Sequence, residues 1–372
     1  MRIPTYIAII LLASLLFLAG CGEENGDVTP VSVSVSTHWI AMTTSETRVI
    51  SATIHGDGGT IDWASSDNSV VTVSGGIISP IGEGTALITA SAGDCTSDPC
   101  TVHVAEDWIL YTDNEGLRVI TPENERDMPI PGTSGATSTI SGPLLWCDNG
   151  IVYQIDGPYG YSYLWFRPFS SDEARMISED TLPTINDIRK KPDGGIFVSL
   201  LPNIYEFDES STFPVFGDEY KYFGIDGQRI DGFDISPDCN SFVAMCPTGG
   251  NDLVIFTLQG SESSPIDTLP VNYYATCPRF SPDGSEIAFS YGTLAGNVWL
   301  VSTGGSTPVS VISEGDDIAG FDWSPGGDRV VMCVRNPAMQ FELWLGNVLT
   351  GETDKLTNAT VGSLEYIPQW VD

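Results

Sequence analysis

The first hydrophobic feature of the chain is a single apolar run near its start. Residues 6–20 are apolar or small apart from Ser14, and Arg2 is the only charged residue before them. This run is shorter than the roughly 20 residues that an α-helix needs to cross a bilayer, and it fits the apolar region of an export signal. We therefore expect residues 1–20 to be a signal sequence that takes no part in the fold.

From residue 31 the pattern changes to short segments in which apolar and polar residues alternate. Residues 31–36 read Val-Ser-Val-Ser-Val-Ser, a period of two that is typical of a strand with one buried face. Similar segments follow as far as about residue 104, separated by turn signals such as Gly75-Gly76. Closely spaced short strands of this kind predict a β-sandwich.

The order of motifs within this sandwich is specific. W-x-S-S-D, V-x-T-V-S, G-x-G-T-A and I-T-A follow one another at residues 63–67, 70–74, 82–86 and 88–90. This order resembles the group 2 bacterial Ig-like domains of intimin- and invasin-type surface proteins. The resemblance implies an Ig-like β-sandwich over residues 31–106, which serves as a spacer or as an adhesive unit.

Beyond residue 106 one phrase recurs, a turn such as Ser281-Pro282-Asp283-Gly284 followed by an apolar run. Its anchor position falls every 43 to 45 residues, at Cys147, Lys191, Ser236, Ser281 and Ser324. Repeats of about 40–50 residues with several strands each indicate the blades of a β-propeller. The phrase is similar to the TolB-type propeller repeat, which also occurs in the propellers of prolyl-oligopeptidase relatives.

Two incomplete copies decide the number of blades. Residues 108–111 (Trp-Ile-Leu-Tyr) look like the second strand of a blade without its opening strand, and residues 367–370 (Ile-Pro-Gln-Trp) look like an opening strand with nothing after it. We predict that the C-terminal strand completes the first blade and leaves no open edge. The expected fold class is therefore all-β: an Ig-like β-sandwich, then a six-bladed β-propeller over residues 107–372.

The end of the export signal suggests a membrane anchor. Residues 18–21 (Leu-Ala-Gly-Cys) resemble the lipobox of bacterial lipoproteins. That resemblance implies cleavage before Cys21 and lipid attachment to its thiol, with residues 21–30 as a tether. Gly22 in place of Asp favours the outer membrane, so we expect an exported, membrane-anchored lipoprotein of the cell envelope.

Charge and composition exclude several functions. The chain has 49 acidic and 15 basic residues, a net charge of -34, which argues against binding to nucleic acid. Its three histidines all precede the propeller, so that region cannot hold a Ser-His or Cys-His nucleophile pair. We predict that the protein is not an enzyme but a scaffold that binds an envelope or surface protein. The alternative is a glycan-binding or glycan-acting protein that uses aromatic residues near the channel mouth, Tyr159, Tyr161, Tyr163, Tyr273 and Tyr274.

The segments before the opening strands of the blades are the candidate binding rim, because in propellers they reach the mouth of the central channel. They contain Asp187, Asp231, Tyr274, Asp316, Asp317, Glu365 and Tyr366. Converging carboxylates would favour a Lys/Arg-rich partner segment or Ca²⁺, the only cofactor that the sequence suggests. The alternative is that these acids cap turns and stay solvated.

Cysteine usage fits an oxidising compartment. Cys95 and Cys100 flank four residues between two predicted strands. We therefore predict that a disulfide joins them across a hairpin.

Overall fold

The computed structural model describes residues 32–371 except 57–58, 114, 134–139, 158–160, 179–181, 183–184, 192–194, 201–202, 208–220, 225–231, 247–251, 258–264, 270–274, 292–294, 314–316, 339 and 358–367. Within these ranges every helix or strand element is a β-strand, and no helix is long and apolar enough to cross a membrane. Cys21, the proposed lipid site, lies outside the described residues.

Residues 32–105 form what we call the N-terminal domain. Its strands are β1 (Ser32–Val35), β2 (Trp39–Thr43), β3 (Arg48–Val49), β4 (Ala52–His55), β5 (Asp62–Ser65), β6 (Val71–Ser74), β7 (Ile77–Pro80), β8 (Gly84–Ala92), β9 (Cys95–Thr96) and β10 (Cys100–Ala105). They pair as β1-β4, as β3-β7-β6 and as β2-β10-β8-β5, with β9 also on β8. In β1 the valines are buried and the serines face outward, as the alternating sequence predicts.

The predicted disulfide between Cys95 and Cys100 is wrong, because no bond joins the two sulfurs. Both β9 and β10 run along the same strand, β8, with Cys95 opposite Ala92 and Cys100 opposite Ile88. Four residues of β8 therefore separate the two positions, about 13 Å at the usual strand rise. A disulfide needs Cα atoms within about 7 Å.

The remaining strands form six four-stranded antiparallel sheets, the blades. The inner strand of each is named first: β34-β11-β12-β13, β14-β15-β16-β17, β18-β19-β20-β21, β22-β23-β24-β25, β26-β27-β28-β29 and β30-β31-β32-β33. Their bounds are β11 (Trp108–Thr112), β12 (Leu117–Ile120), β13 (Asp127–Pro129), β14 (Ile140–Trp146), β15 (Gly150–Asp156), β16 (Ser162–Pro168), β17 (Arg175–Met176), β18 (Ile185–Lys190), β19 (Ile196–Leu200), β20 (Asn203–Phe207), β21 (Lys221–Gly224), β22 (Phe233–Ile235), β23 (Ser241–Cys246), β24 (Asp252–Thr257), β25 (Pro265–Leu269), β26 (Ala275–Phe280), β27 (Glu286–Tyr291), β28 (Ala295–Ser302), β29 (Val309–Ser313), β30 (Asp317–Trp323), β31 (Arg329–Arg335), β32 (Phe341–Asn347), β33 (Thr353–Lys355) and β34 (Gln369–Val371).

The blades close into a ring. Strand β34 pairs antiparallel with β11, with Trp370 opposite Ile109, so the last strand of the chain is the inner strand of the first blade. Each inner strand contacts the inner strand of the next blade, and β34 contacts β14. Six apolar clusters each lie between two consecutive blades, including one between the sixth and the first. The predicted all-β fold with a six-bladed propeller closed by the C-terminal strand is confirmed.

The repeated serine explains why the turn phrase recurs. Ser281 Oγ donates to Asp283 Oδ1 at 2.7 Å and accepts from the Glu286 amide at 3.0 Å. Ser236 and Ser324 likewise accept the amide five residues further on. One buried hydroxyl thus ties the end of the inner strand to the start of the next strand, which satisfies backbone groups at the turn.

The N-terminal domain packs directly on the first two blades. Trp108 Nε1 donates to Met42 O at 3.0 Å, and Arg126 Nη1 donates to Val104 O at 2.7 Å and to Gly84 O at 3.2 Å. The Arg126 guanidinium also lies 5.2 Å from the Trp108 ring centroid. These buried contacts fix the domain against the propeller near the point where the chain passes from one to the other.

A second set of contacts holds the same interface at the second blade. Asp172 accepts from Thr37 Oγ1 at 2.8 Å and from the His38 amide at 3.0 Å. Burial alone would raise the pKa of Asp172, but these hydrogen bonds and the neighbouring His38 side chain lower it. Arg48 lies 4.1 Å from the Phe169 ring centroid. The N-terminal domain is therefore a docked unit and not a loosely joined one.

Candidate functional site

One equivalent position recurs in each inner strand, two residues before the anchor of the repeat. Four of these six residues are charged, and around the ring the signs alternate. In blade order from the second blade to the first they are Leu145, Arg189, Asp234, Arg279, Asp322 and Gln369.

Three of these side chains bind the neighbouring blade. Asp234 Oδ2 accepts the amide of Phe280 at 2.8 Å, and Asp322 Oδ2 accepts the amide of Trp370 at 2.9 Å. Gln369 Oε1 accepts the amide of Trp146 at 2.5 Å, the equivalent bond between the first and second blades. An acceptor at this position therefore links one inner strand to the next, which buried amides require.

The charged side chains also interact between blades that are not neighbours. Arg279 Nη1 in the fifth blade lies 3.3 Å from Asp187 Oδ2 in the third. Arg189 Nη2 lies 3.1 Å from the other oxygen of Asp187, and Arg189 Nε lies 3.7 Å from Asp234 Oδ1. Arg189 also interacts electrostatically with Asp322, in the opposite blade. Contacts that skip a blade can form only across the axis, so we call these five residues the axial cluster.

Burial controls the charge state of the axial cluster. Loss of solvent raises the pKa of Asp234 to about 7 and that of Asp322 to about 6, although Arg189 opposes both changes. Burial also raises the pKa of Asp187, again against the pull of Arg189. Carboxyls in such a setting take up protons near neutral pH instead of near pH 4.

Irregular inner strands help to aim these side chains. The pairing register shifts between Ile185 and Asp187 in β18, and between Thr276 and Arg279 in β26. A bulge changes which way the following side chains point. Asp187 is consequently 1% exposed, although its place in the sequence predicted a position at the channel mouth.

The predicted binding rim is corrected by these contacts. Asp187 is buried between Arg189 and Arg279 and is not a solvated carboxylate. Asp317 is partly exposed and pairs with Arg335, a residue on the next strand of its own blade. The other rim positions lie outside the described residues: Asp231, Tyr274, Asp316, Glu365 and Tyr366.

The structure does not support the Ca²⁺ site. Across the described part of the chain, no three His, Cys, Asp or Glu side chains converge as metal ligands. Asp187 already has two arginine partners, which occupy the oxygens that a cation would need.

The aromatic residues of the glycan alternative are only partly described. Tyr161 is 46% exposed and Tyr163 is half-buried, whereas Tyr159, Tyr273 and Tyr274 lie outside the described residues. The two described tyrosines belong to one blade and do not form a stacking platform at the axis.

A cleft of about 590 Å³ lies between the turns of the fourth and fifth blades. Its lining includes Asp238, Asp267 and Asp283 together with Ile255 and Phe280. Hydrogen bonds from Ser281 and Ser285 lower the pKa of Asp283 to about 2, and bonds from Ser236 and Asn240 lower that of Asp238. Two of its carboxylates are thus engaged within their own turns.

A closed ring of six four-stranded sheets with a small β-domain packed on it defines the chain as a six-bladed β-propeller protein. TolB from Acinetobacter baumannii has a similar structure, with 13% identity and a TM-score of 0.51, and the match covers 81% of each chain. A protein from Agrobacterium tumefaciens classed as TolB matches with 15% identity and a TM-score of 0.49, over 71% of this chain and 93% of that one. No family model and no curated protein matches the sequence.

The comparisons correct the prediction that the protein is not an enzyme. A Bacteroides fragilis protein classed as a 6-phosphogluconolactonase matches with 13% identity and a TM-score of 0.47, over 72% of this chain and 98% of that one. The lack of histidines in the propeller excludes particular nucleophile pairs and does not exclude catalysis as such.

Proposed function

We propose that this protein is a lipid-anchored component of the bacterial cell envelope that presents its propeller to bind another envelope or surface protein. The observation that carries the proposal is the match of fold with TolB over most of both chains. The resemblance to TolB-type propellers implies binding to envelope proteins through one face. The lipobox-like residues before Cys21 add the proposed anchor, with the outer membrane as the favoured location.

In this proposal residues 31–106 are an Ig-like domain and residues 107–372 are the propeller. The hydrogen bonds of Arg126 and Asp172 to the N-terminal domain support a domain that holds the propeller in one orientation. The tether of residues 21–30 then supplies the freedom of movement relative to the membrane. A fixed orientation would keep the same propeller face available to a partner.

The strongly acidic composition favours a partner with a basic surface. Charge complementarity accelerates encounter and makes the association sensitive to salt. We assign the contact to the solvated face of the propeller and not to Asp187, which is buried.

Two experiments test the proposal. Cys21→Ser should move the protein from the membrane fraction to the soluble fraction, and a variant that still sediments uncleaved would contradict lipid anchoring. The wild-type chain should capture a defined protein from detergent-solubilised envelope, and capture should weaken as salt rises. Trp370→Ala, which weakens the closure of the ring, should reduce this capture, whereas Leu349→Ala, on an 84% exposed side chain, should keep it. Equal capture by both variants would contradict a role for the intact propeller.

A further inference from the structure

One edge of the Arg279 guanidinium is buried without a hydrogen-bond acceptor. The side chain is 2% exposed. Its Nη1 donates to Pro278 O at 2.7 Å and to Phe233 O at 3.2 Å, and it lies 3.3 Å from Asp187 Oδ2. Among the described residues, its Nε and Nη2 atoms have no hydrogen-bond partner. These two nitrogens form one side of the planar group and aim their N–H bonds in parallel.

This edge differs from the rest of the axial cluster. Asp234 and Asp322 each have a backbone amide to bind in the next blade. Arg189 Nε, which also lacks a hydrogen bond, still lies 3.7 Å from Asp234 Oδ1. Buried donors without acceptors are rare in folded proteins because they lose their hydration and gain nothing in return. Packing between blades therefore does not account for the Nε and Nη2 donors of Arg279.

We propose that the Nε–Nη2 edge of Arg279 binds a carboxylate group that enters along the propeller axis. Two parallel N–H donors match the two oxygens of a carboxylate in a bidentate pair. Phosphate has the same geometry but carries more negative charge, and three aspartates of the axial cluster lie nearby. A singly charged group is therefore the better fit.

The charged groups of the axial cluster set the pH dependence of the site. Asp187 contacts Arg279 directly, and Asp187, Asp234, Asp322 and Cys277 all act on the Arg189 guanidinium of the same cluster. As pH falls towards 6 the buried carboxyls take up protons, which reduces their repulsion of an incoming anion. Carboxylate binding should accordingly be tighter at pH 6 than at pH 8.

The carboxylate has two possible sources, a free small acid or an acidic side chain of a bound protein. Only the second source rests on the proposed function. Acetate probes the first, and a blocked pentapeptide with one central glutamate probes the second. Inorganic phosphate probes the competing chemistry. If none of the three probes binds while the protein still captures an envelope protein, this site is rejected and the proposed function stands.

The test is a titration of the whole protein followed by the arginine Nε–Hε signals in NMR spectra. Acetate or the peptide should shift one slowly exchanging signal at pH 6, and that signal should be absent in Arg279→Lys. The variant keeps the charge but loses the bidentate edge, so calorimetry should show affinity about tenfold weaker. Arg335→Lys is the matched control, since Arg335 pairs with Asp317 and is not a member of the axial cluster.

The proposal is overturned if neither carboxylate probe shifts a protected Nε–Hε signal of the wild-type protein at pH 6. It is also overturned if phosphate alone does so, or if Arg335→Lys weakens binding as much as Arg279→Lys. Should Arg279→Lys fail to fold, the wild-type titration decides after Arg48→Lys, Arg167→Lys and Arg189→Lys have assigned the other protected Nε–H signals, because those three side chains are also buried.

Discussion

Replacement of Trp370 by alanine tests whether the last strand of the chain holds the ring closed. Trp370 is 5% exposed and packs in the apolar cluster between the sixth and first blades, beside Ile109 and Val331. Its amide binds Asp322 across the blade boundary. The Arg329 guanidinium lies 5.1 Å from its ring centroid. Loss of this indole should therefore weaken the junction where the ends of the propeller meet.

The size of the effect follows from the contacts that are lost. Truncation of a buried Trp to Ala costs about 3–5 kcal/mol in core positions. The cation–π contact with Arg329 adds about 0.5–1 kcal/mol, while the backbone bond to Asp322 remains in the variant. We expect the free energy of unfolding to fall by about 4 kcal/mol. That is a large share of the roughly 5–15 kcal/mol typical of a folded protein.

Urea unfolding followed by circular dichroism measures this change. Leu349→Ala removes an apolar side chain from an 84% exposed position and should alter the unfolding free energy by less than about 0.5 kcal/mol. Deletion of residues 366–372 should destabilise more than Trp370→Ala, because it also removes the pairing of β34 with β11. Equal unfolding free energies for Trp370→Ala and Leu349→Ala would refute closure by this strand.

Three further predictions follow from other contacts. Asp234 keeps its proton to about pH 7 in the folded chain, far above its ordinary value of 3.8, so the folded state binds more protons and the unfolding free energy should fall as pH rises from 4 to 7. Asp234→Asn should make that fall shallower. If urea unfolding shows the same dependence of unfolding free energy on pH in Asp234→Asn as in the wild type, the raised pKa of Asp234 is contradicted. Gly284→Ala, at a φ of +72°, should cost about 1–2 kcal/mol of unfolding free energy. Gly59→Ala, where no other atom lies within 4 Å of the added methyl group, should cost little. Equal urea midpoints for the two variants would contradict this prediction. Arg126→Met should speed amide hydrogen exchange in the N-terminal domain, since two hydrogen bonds at the domain interface are lost, and unchanged exchange would argue against the docked interface.

Closure of the propeller could be predicted because it depends on local patterns that survive in a single sequence. The Ser-Pro-Asp-Gly phrase reflects one hydroxyl, Ser281 Oγ, bonded within its own turn. Half a blade at each end of the repeat leaves two unpaired edges, and only their mutual pairing removes both. The predicted hairpin at Cys95 and Cys100 failed because two short strands separated by a turn can also follow one partner strand in line.

The axial cluster could not be predicted in the same way. The repeat alignment places Arg189, Asp234, Arg279 and Asp322 at one equivalent position. This recurrence of charged residues is the one feature of the sequence that pointed to the cluster. Their partners, however, come from blades that are distant in sequence, and side-chain direction depends on bulges such as the one before Asp187. A position in the repeat therefore predicts which residues approach the axis, but it does not predict whether they are solvated or paired.

Stability explains the acids of the axial cluster better than it explains Arg279. Asp234 and Asp322 satisfy backbone amides of the next blade, as the uncharged Gln369 also does, so an acceptor is sufficient for that role. Buried ion pairs contribute little net stability, because desolvation offsets their attraction. Arg279 offers two further donors that no contact among the described blade residues uses. Substitution at Asp234 should therefore change mainly the pH dependence of unfolding, whereas Arg279→Lys should change mainly the binding of carboxylates, and this separation distinguishes a structural axis from a ligand-binding one.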